Sequence, residues 1–116
     1  MTETDCMDAG GFERPAATSL ELTRVLHALS DPVRLQIVQR LALDGPMTCR
    51  AAAGPDVPKA TLSRHFKALR AAGVVETSVD EAGVYRSRVR RACLDARFPG
   101  LLTSVLASAP SPAAAR

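Results

Sequence analysis

A mainly α-helical domain with one small β-hairpin is what the sequence predicts, on three grounds. The chain has 116 residues and a mass of 12.3 kDa, room for one hydrophobic core and too little for a multidomain enzyme. Its apolar share of 47% contains 20 Ala, 13 Leu and 10 Val but a single Ile, an inventory suited to packed helices. Two stretches are extended in character, 74 to 79 and 84 to 90, and Asp80-Glu81-Ala82-Gly83 between them supplies a hairpin turn.

The ordered domain is expected over residues 18 to 107. Residues 1 to 17 mix Gly10, Gly11 and Pro15 with acidic side chains, and 108 to 116 are mainly Ala, Ser and Pro, so both are expected as mobile tails, the first of them acidic. A first helix is predicted over 18 to 29. Thr18 and Glu21 have the spacing of a capping box, and Leu22, Val25, Leu26 and Leu29 recur at three- and four-residue steps to form an apolar stripe. Asp31-Pro32 restarts the chain, with Asp as cap and Pro at the first helical position, and Leu35, Ile37, Val38 and Leu41 carry a second helix to Asp44-Gly45. A two-turn helix follows over 48 to 53, closed by Gly54-Pro55.

After Val57-Pro58 the clearest periodicity begins. Leu62, Phe66 and Leu69 occupy one face of a fourth helix ending at Gly73, which leaves Lys59, Thr61, Ser63, Arg64, Lys67 and Arg70 for the polar face. In the second strand, Tyr85, Ser87 and Val89 alternate with Arg86, Arg88 and Arg90, so one face of the hairpin is expected to be all guanidinium. A final amphipathic helix over 95 to 107 carries Phe98, Leu101, Leu102, Val105 and Leu106, with an early interruption at Pro99-Gly100.

Charge is distributed unevenly along this plan. Residues 1 to 13 carry Glu3, Asp5, Asp8 and Glu13 with no Lys or Arg. Residues 59 to 91 set eight cations against Glu76, Asp80 and Glu81, a net +5 inside a chain of formal charge +3. Such a block suits a polyanionic partner. Aromatic residues make up 3% of the chain and Trp is absent, which argues against a base-stacking platform for single strands and leaves duplex recognition open.

Three short helices, a helix with an apolar seam and a cationic face, and an arginine-lined hairpin follow the order of a winged helix-turn-helix. In that arrangement Lys59, Thr61, Ser63 and Arg64 would reach base edges, and Arg can grip guanine through two bonds. Lys67 and Arg70, further along the helix, suit phosphates, and Arg86 and Arg88 suit the backbone or minor groove beside it. Either element alone reads rather as a solvated helix or a charge-protected edge strand. The two in tandem favour double-stranded DNA.

The run from Leu26 through Ser30-Asp31-Pro32-Val33-Arg34-Leu35 to Val38 resembles the opening of ArsR/SmtB-type repressors. The run Ala60-Thr61-Leu62-Ser63-Arg64-His65-Phe66-Lys67-Ala68-Leu69-Arg70-Ala71-Ala72-Gly73-Val74-Val75 is similar to that family's recognition helix and its turn into the wing. With the hairpin, the likeness covers about 19 to 107. It implies a homodimer joined through the first and last helices, with Leu22, Val25, Leu101, Leu102, Val105 and Leu106 at the joint. It also implies a palindromic operator, base readout on Lys59, Thr61, Ser63 and Arg64, and repression until an inducer, which the sequence does not name, releases the DNA. Metal-sensing members commonly carry Cys-x-Cys on the third helix or His on the last. Here Met47-Thr48-Cys49-Arg50 offers one thiol, and 95 to 107 has no His. Pro58 stands where the family often has a Ser cap.

Cys6, Cys49 and Cys93 are widely spaced, which predicts neither a disulfide framework nor a zinc ribbon and fits a reducing cytoplasm. No metal site, cofactor motif or catalytic constellation is expected, His27 and His65 are expected as packing residues, and no stretch reads as a membrane span. Two other functions use the same residues: a winged helix that docks protein, and a metal- or redox-responsive switch acting through Cys6, Cys49 or Cys93.

Overall fold

A computed structural model of the chain describes residues 14–110. Six helices and a two-stranded antiparallel sheet follow in order: α1 Leu22–Leu29, α2 Pro32–Asp44, α3 Cys49–Ala53, α4 Lys59–Ala72, β1 Val75–Val79, β2 Tyr85–Val89, α5 Arg91–Arg97 and α6 Leu101–Ser108. The helical domain with one hairpin is therefore the fold. Cys6 and most of the two expected tails lie outside the described residues.

Local chemistry sets most of the boundaries. Asp31 Oδ1 accepts from the Val33 and Arg34 amides at 2.8 and 3.1 Å, and Pro32 fills the first helical position of α2. Thr48 caps α3 by accepting from Ala51 N at 3.2 Å. Gly73 takes the left-handed conformation, φ +83°, that closes α4. Pro58 gives α4 no side-chain cap, so the helix opens on its carbonyl alone, which accepts from Leu62 N at 2.8 Å.

Two boundaries differ from expectation. Thr18 belongs to a 3-10 turn, Ala17–Ser19, and α1 starts only after Glu21, because Leu20 turns into the core at 2% exposure and adopts extended backbone. The single last helix is two: Phe98 leaves helical geometry, Gly100 takes φ +81°, and Pro99 between them cannot continue the ladder.

The core lies where α1, α2, α4 and the start of the hairpin meet, and its completely buried members include Ile37, Val38, Phe66, Leu69, Val74 and Val75. Each large apolar side chain there contributes roughly 1.5–3 kcal/mol before conformational entropy is subtracted. β1 and β2 pair in the register Val75↔Val89, Glu76↔Arg88, Thr77↔Ser87, Ser78↔Arg86 and Val79↔Tyr85. Inside this pairing the Thr77 and Ser87 hydroxyls bond each other at 2.7 Å, so two buried polar groups satisfy one another. Met47 adds a minimal third strand: its N–H donates to Ser87 O at 3.1 Å, and Ser87 N–H donates back to Met47 O at 2.8 Å.

Candidate nucleic-acid interface

The buried seam of α4, formed by Leu62, Phe66 and Leu69, fixes which side chains face outward. Lys59, Arg64 and Lys67 are exposed, and Thr61 and Ser63 are half-buried between them. Arg64 Nη2 lies 3.4 Å from Thr61 Oγ1, so the long cation and the short hydroxyl share one patch.

Arg70 is not on this patch. It is 1% exposed, and the reason is periodic: it follows Phe66 by four residues and Leu62 by eight, which puts it on the seam. A buried guanidinium cannot reach a phosphate, so Arg70 is withdrawn from the interface.

The short link between α3 and α4 is held by one side chain. Arg50 Nη1 donates to Gly54 O at 2.9 Å and to Val57 O at 2.8 Å, bracketing the turn that aims α4. From the opposite side, Arg34 Nε donates to Ala28 O at 2.8 Å, while its Nη1 lies 3.4 Å from His65 Nδ1. A guanidinium has no acceptor, so that ring nitrogen accepts and the proton sits on Nε2, facing Asp31 Oδ1 at 4.0 Å. Burial lowers the His65 pKa, and the Arg34 and Arg64 charges lower it further against the opposing pull of Asp31. Burial alone would raise the Asp31 pKa, but the Arg34 and Val33 amides outweigh it, with the His65 and Arg34 charges in support, and the carboxyl is held low. His27, expected to pack inside, is exposed.

On the hairpin, Arg86 and Arg88 are exposed as expected, but each already has an acid beside it. Arg86 Nε donates to Asp80 Oδ2 at 2.9 Å. The Val84 amide, then the Arg86 side chain, then the Ala82 amide hold the Asp80 pKa down. Arg88 Nε donates to Glu76 Oε2 at 2.6 Å. The all-guanidinium face fails at Arg90: the strand ends at Val89, Arg90 adopts φ −83°, ψ 62°, and its side chain turns inward to 7% exposure. Sequence reasoning missed Glu76 as a partner, although the register of the turn places it directly opposite Arg88.

The residues expected at a dimer joint divide. Val25 and Leu102 are buried in the protomer's own core at 1% and 2% exposure, so they are withdrawn from the joint. Leu22 on α1 remains 44% exposed, and so does Leu26 beside it, not among those expected, at 42%, while Leu101, Val105 and Leu106 on α6 are half-buried. Among the cysteines, Cys49 is completely buried in the core. Cys93 is a free thiol of intermediate exposure. Among the described residues no three metal-ligating side chains gather, and no helix is long and apolar enough to cross a membrane.

A helix held at a short turn, presenting cations and hydroxyls beside a two-stranded wing, defines a winged helix-turn-helix, by class a DNA-binding transcription regulator. The comparison with known families agrees at that level: residues 29–78, from the end of α1 to β1, match the family described as a helix-turn-helix domain. No curated protein matches the chain.

Proposed function

We propose that the protein is a homodimeric transcriptional repressor of the ArsR type that reads a palindromic duplex through α4 and is released by a signal. The observation that carries this reading is the outward patch of α4, where Lys59, Thr61, Ser63, Arg64 and Lys67 stand opposite the buried Leu62, Phe66 and Leu69. In this reading Thr61, Ser63 and Arg64 face base edges, and Lys59, named above for base edges, stands with them at the helix start. Lys67 holds phosphate, and Arg86 and Arg88 meet the backbone beside the groove. The exposed Leu22 and Leu26, with the partly covered α6 residues, support pairing of two copies. Repression and its release rest on the resemblance of the two sequence runs described above.

The test is selection of bound fragments from a randomised duplex library, followed by Arg64→Ala on single-base variants of the recovered site. The reading expects a two-fold repeated site, and a loss of about 1–3 kcal/mol with relaxed preference at one base pair per half-site. Recovery of no duplex would favour a protein-docking winged helix instead.

A further inference from the structure

We infer that Glu76 is a transferable counter-charge: it holds Arg88 in the free protein and passes to Arg90 when Arg88 engages a DNA phosphate. The inference rests on the DNA-binding reading and adds to it a residue that sets specificity without touching DNA.

Glu76 sits on β1 directly across from Arg88 on β2. Its Oε2 receives both Nε and Nη2 of Arg88, at 2.6 and 2.5 Å. Its Oε1 faces two further guanidiniums, Arg14 Nε at 3.4 Å and Arg90 Nε at 3.9 Å. The Glu76 side chain is 15% exposed and the Arg88 side chain 63%, so the acid is fixed in the fold while the cation reaches outward.

Arg90 supplies the second half of the argument. Its Nη2 donates to Cys93 Sγ at 3.6 Å, but Nε and Nη1 are buried without a hydrogen-bond partner among the described residues. A buried guanidinium with unfilled donors is unfavourable. The nearest anionic oxygen to Nε is Glu76 Oε1, and a shift of about 1 Å would complete that bond.

The two halves make a relay. An ion pair at an exposed arginine is weak and screened by salt, so Arg88 can leave at small cost. A mostly buried carboxylate left without a close cation would be costly, but Arg14 remains at 3.4 Å and Arg90, whose own donors are unfilled, closes on Glu76 as Arg88 departs. Until then the hairpin over 75–89 sets Arg86 and Arg88 against Glu76, Asp80 and Glu81, a net −1, and has little pull of its own on a polyanion. The wing thus grips where α4 already holds the duplex, which favours a cognate site over random DNA. Asp80 has no second cation within ion-pair distance among the described residues, so Arg86 lacks such a relay and serves as a control.

The experiment compares the full chain with its Glu76→Gln variant on a duplex recovered by selection and on a scrambled duplex of equal length, at several salt concentrations. The variant is expected to bind the scrambled duplex about three- to tenfold tighter, with a salt slope steeper by up to about one per protomer, and so to discriminate less. The gain is expected to vanish in an Arg88→Ala background. If the unaltered protein binds neither duplex, the DNA-binding reading itself fails. If it binds and Glu76→Gln, folded by circular dichroism, binds the scrambled duplex no better, the counter-charge is wrong. The unaltered protein gives an independent readout through its arginine Nε–Hε resonances. On addition of the selected duplex, Arg88 and Arg90 are both expected to shift, and an Arg90 resonance that stays in place overturns the transfer.

Discussion

His65 Nε2 stands 4.0 Å from Asp31 Oδ1, which brings the middle of the recognition helix beside the cap of α2. The neutral ring suits this position, because protonating Nδ1 would turn the acceptor of Arg34 into a second donor.

The pH dependence of stability follows from this pair. His65 has a folded-state pKa below its ordinary 6.5, so between those two values the unfolded chain binds more protons. Its contribution is complete above pH 6.5 and is lost as pH falls through the folded value. Asp31 adds a second loss below its ordinary 3.8. The urea midpoint is expected to drop between pH 7.5 and 5.5, and to drop less in His65→Gln.

Arg50 is expected to matter more to the turn than its surface location suggests. Arg50→Ala returns the Gly54 and Val57 carbonyls to water and is expected to cost about 1–3 kcal/mol in chemical denaturation. DNA affinity is expected to fall with it, because the α3–α4 angle is no longer held. Arg50→Lys, which lacks the planar fork, recovers only part of either loss.

Gly73 and Gly45 have similar φ, +83° and +85°, but different surroundings. A Cβ at Gly73 would lie 2.1 Å from Leu20 Cδ2, whereas one at Gly45 meets nothing within 4 Å. Gly73→Ala is therefore expected to cost about 2–4 kcal/mol, combining left-handed strain with overpacking, and Gly45→Ala, whose ψ of −169° lies where essentially only glycine goes, about 1–3 kcal/mol from strain alone. Thermal melts of the two variants check the ordering.

Leu22 and Leu26 test the proposed pairing of two copies separately from the fold. Because both are already exposed, replacing them with Lys is expected to change protomer stability by no more than about 0.5 kcal/mol each. Sedimentation is expected to show a monomer. An intact dimer in the double variant moves the joint elsewhere.

Most of the fold could be read from the chain because its signals were local. Asp31-Pro32, Thr48 and Gly73 each act within a turn of their own position, and the hairpin was marked by its turn residues. The helix split at Pro99-Gly100 was visible as an interruption, but its full effect was not. The outward placement of Lys59, Arg64 and Lys67 is legible from the seam they oppose. Arg70 reads as outward-facing by its charge, although its four-residue step from Phe66 places it on the buried seam. Arg90 escaped because strand alternation applies only while the strand lasts. Val25 and Leu102 were indistinguishable by sequence from neighbours that stay uncovered, since an apolar stripe does not say which edge the protomer itself buries.

The reciprocal bond between Met47 and Ser87 bears on how the molecule would sit on a duplex. Since it fastens the hairpin to the link between α2 and α3, the wing is not a hinged flap, and the gap between it and the recognition helix is set before any contact is made. A gap of fixed opening works as a caliper. On the proposed reading, stretches of duplex whose local groove width already matches it would be accepted at no deformation cost, and stiffer or wider stretches would be penalised even at base pairs no side chain reaches.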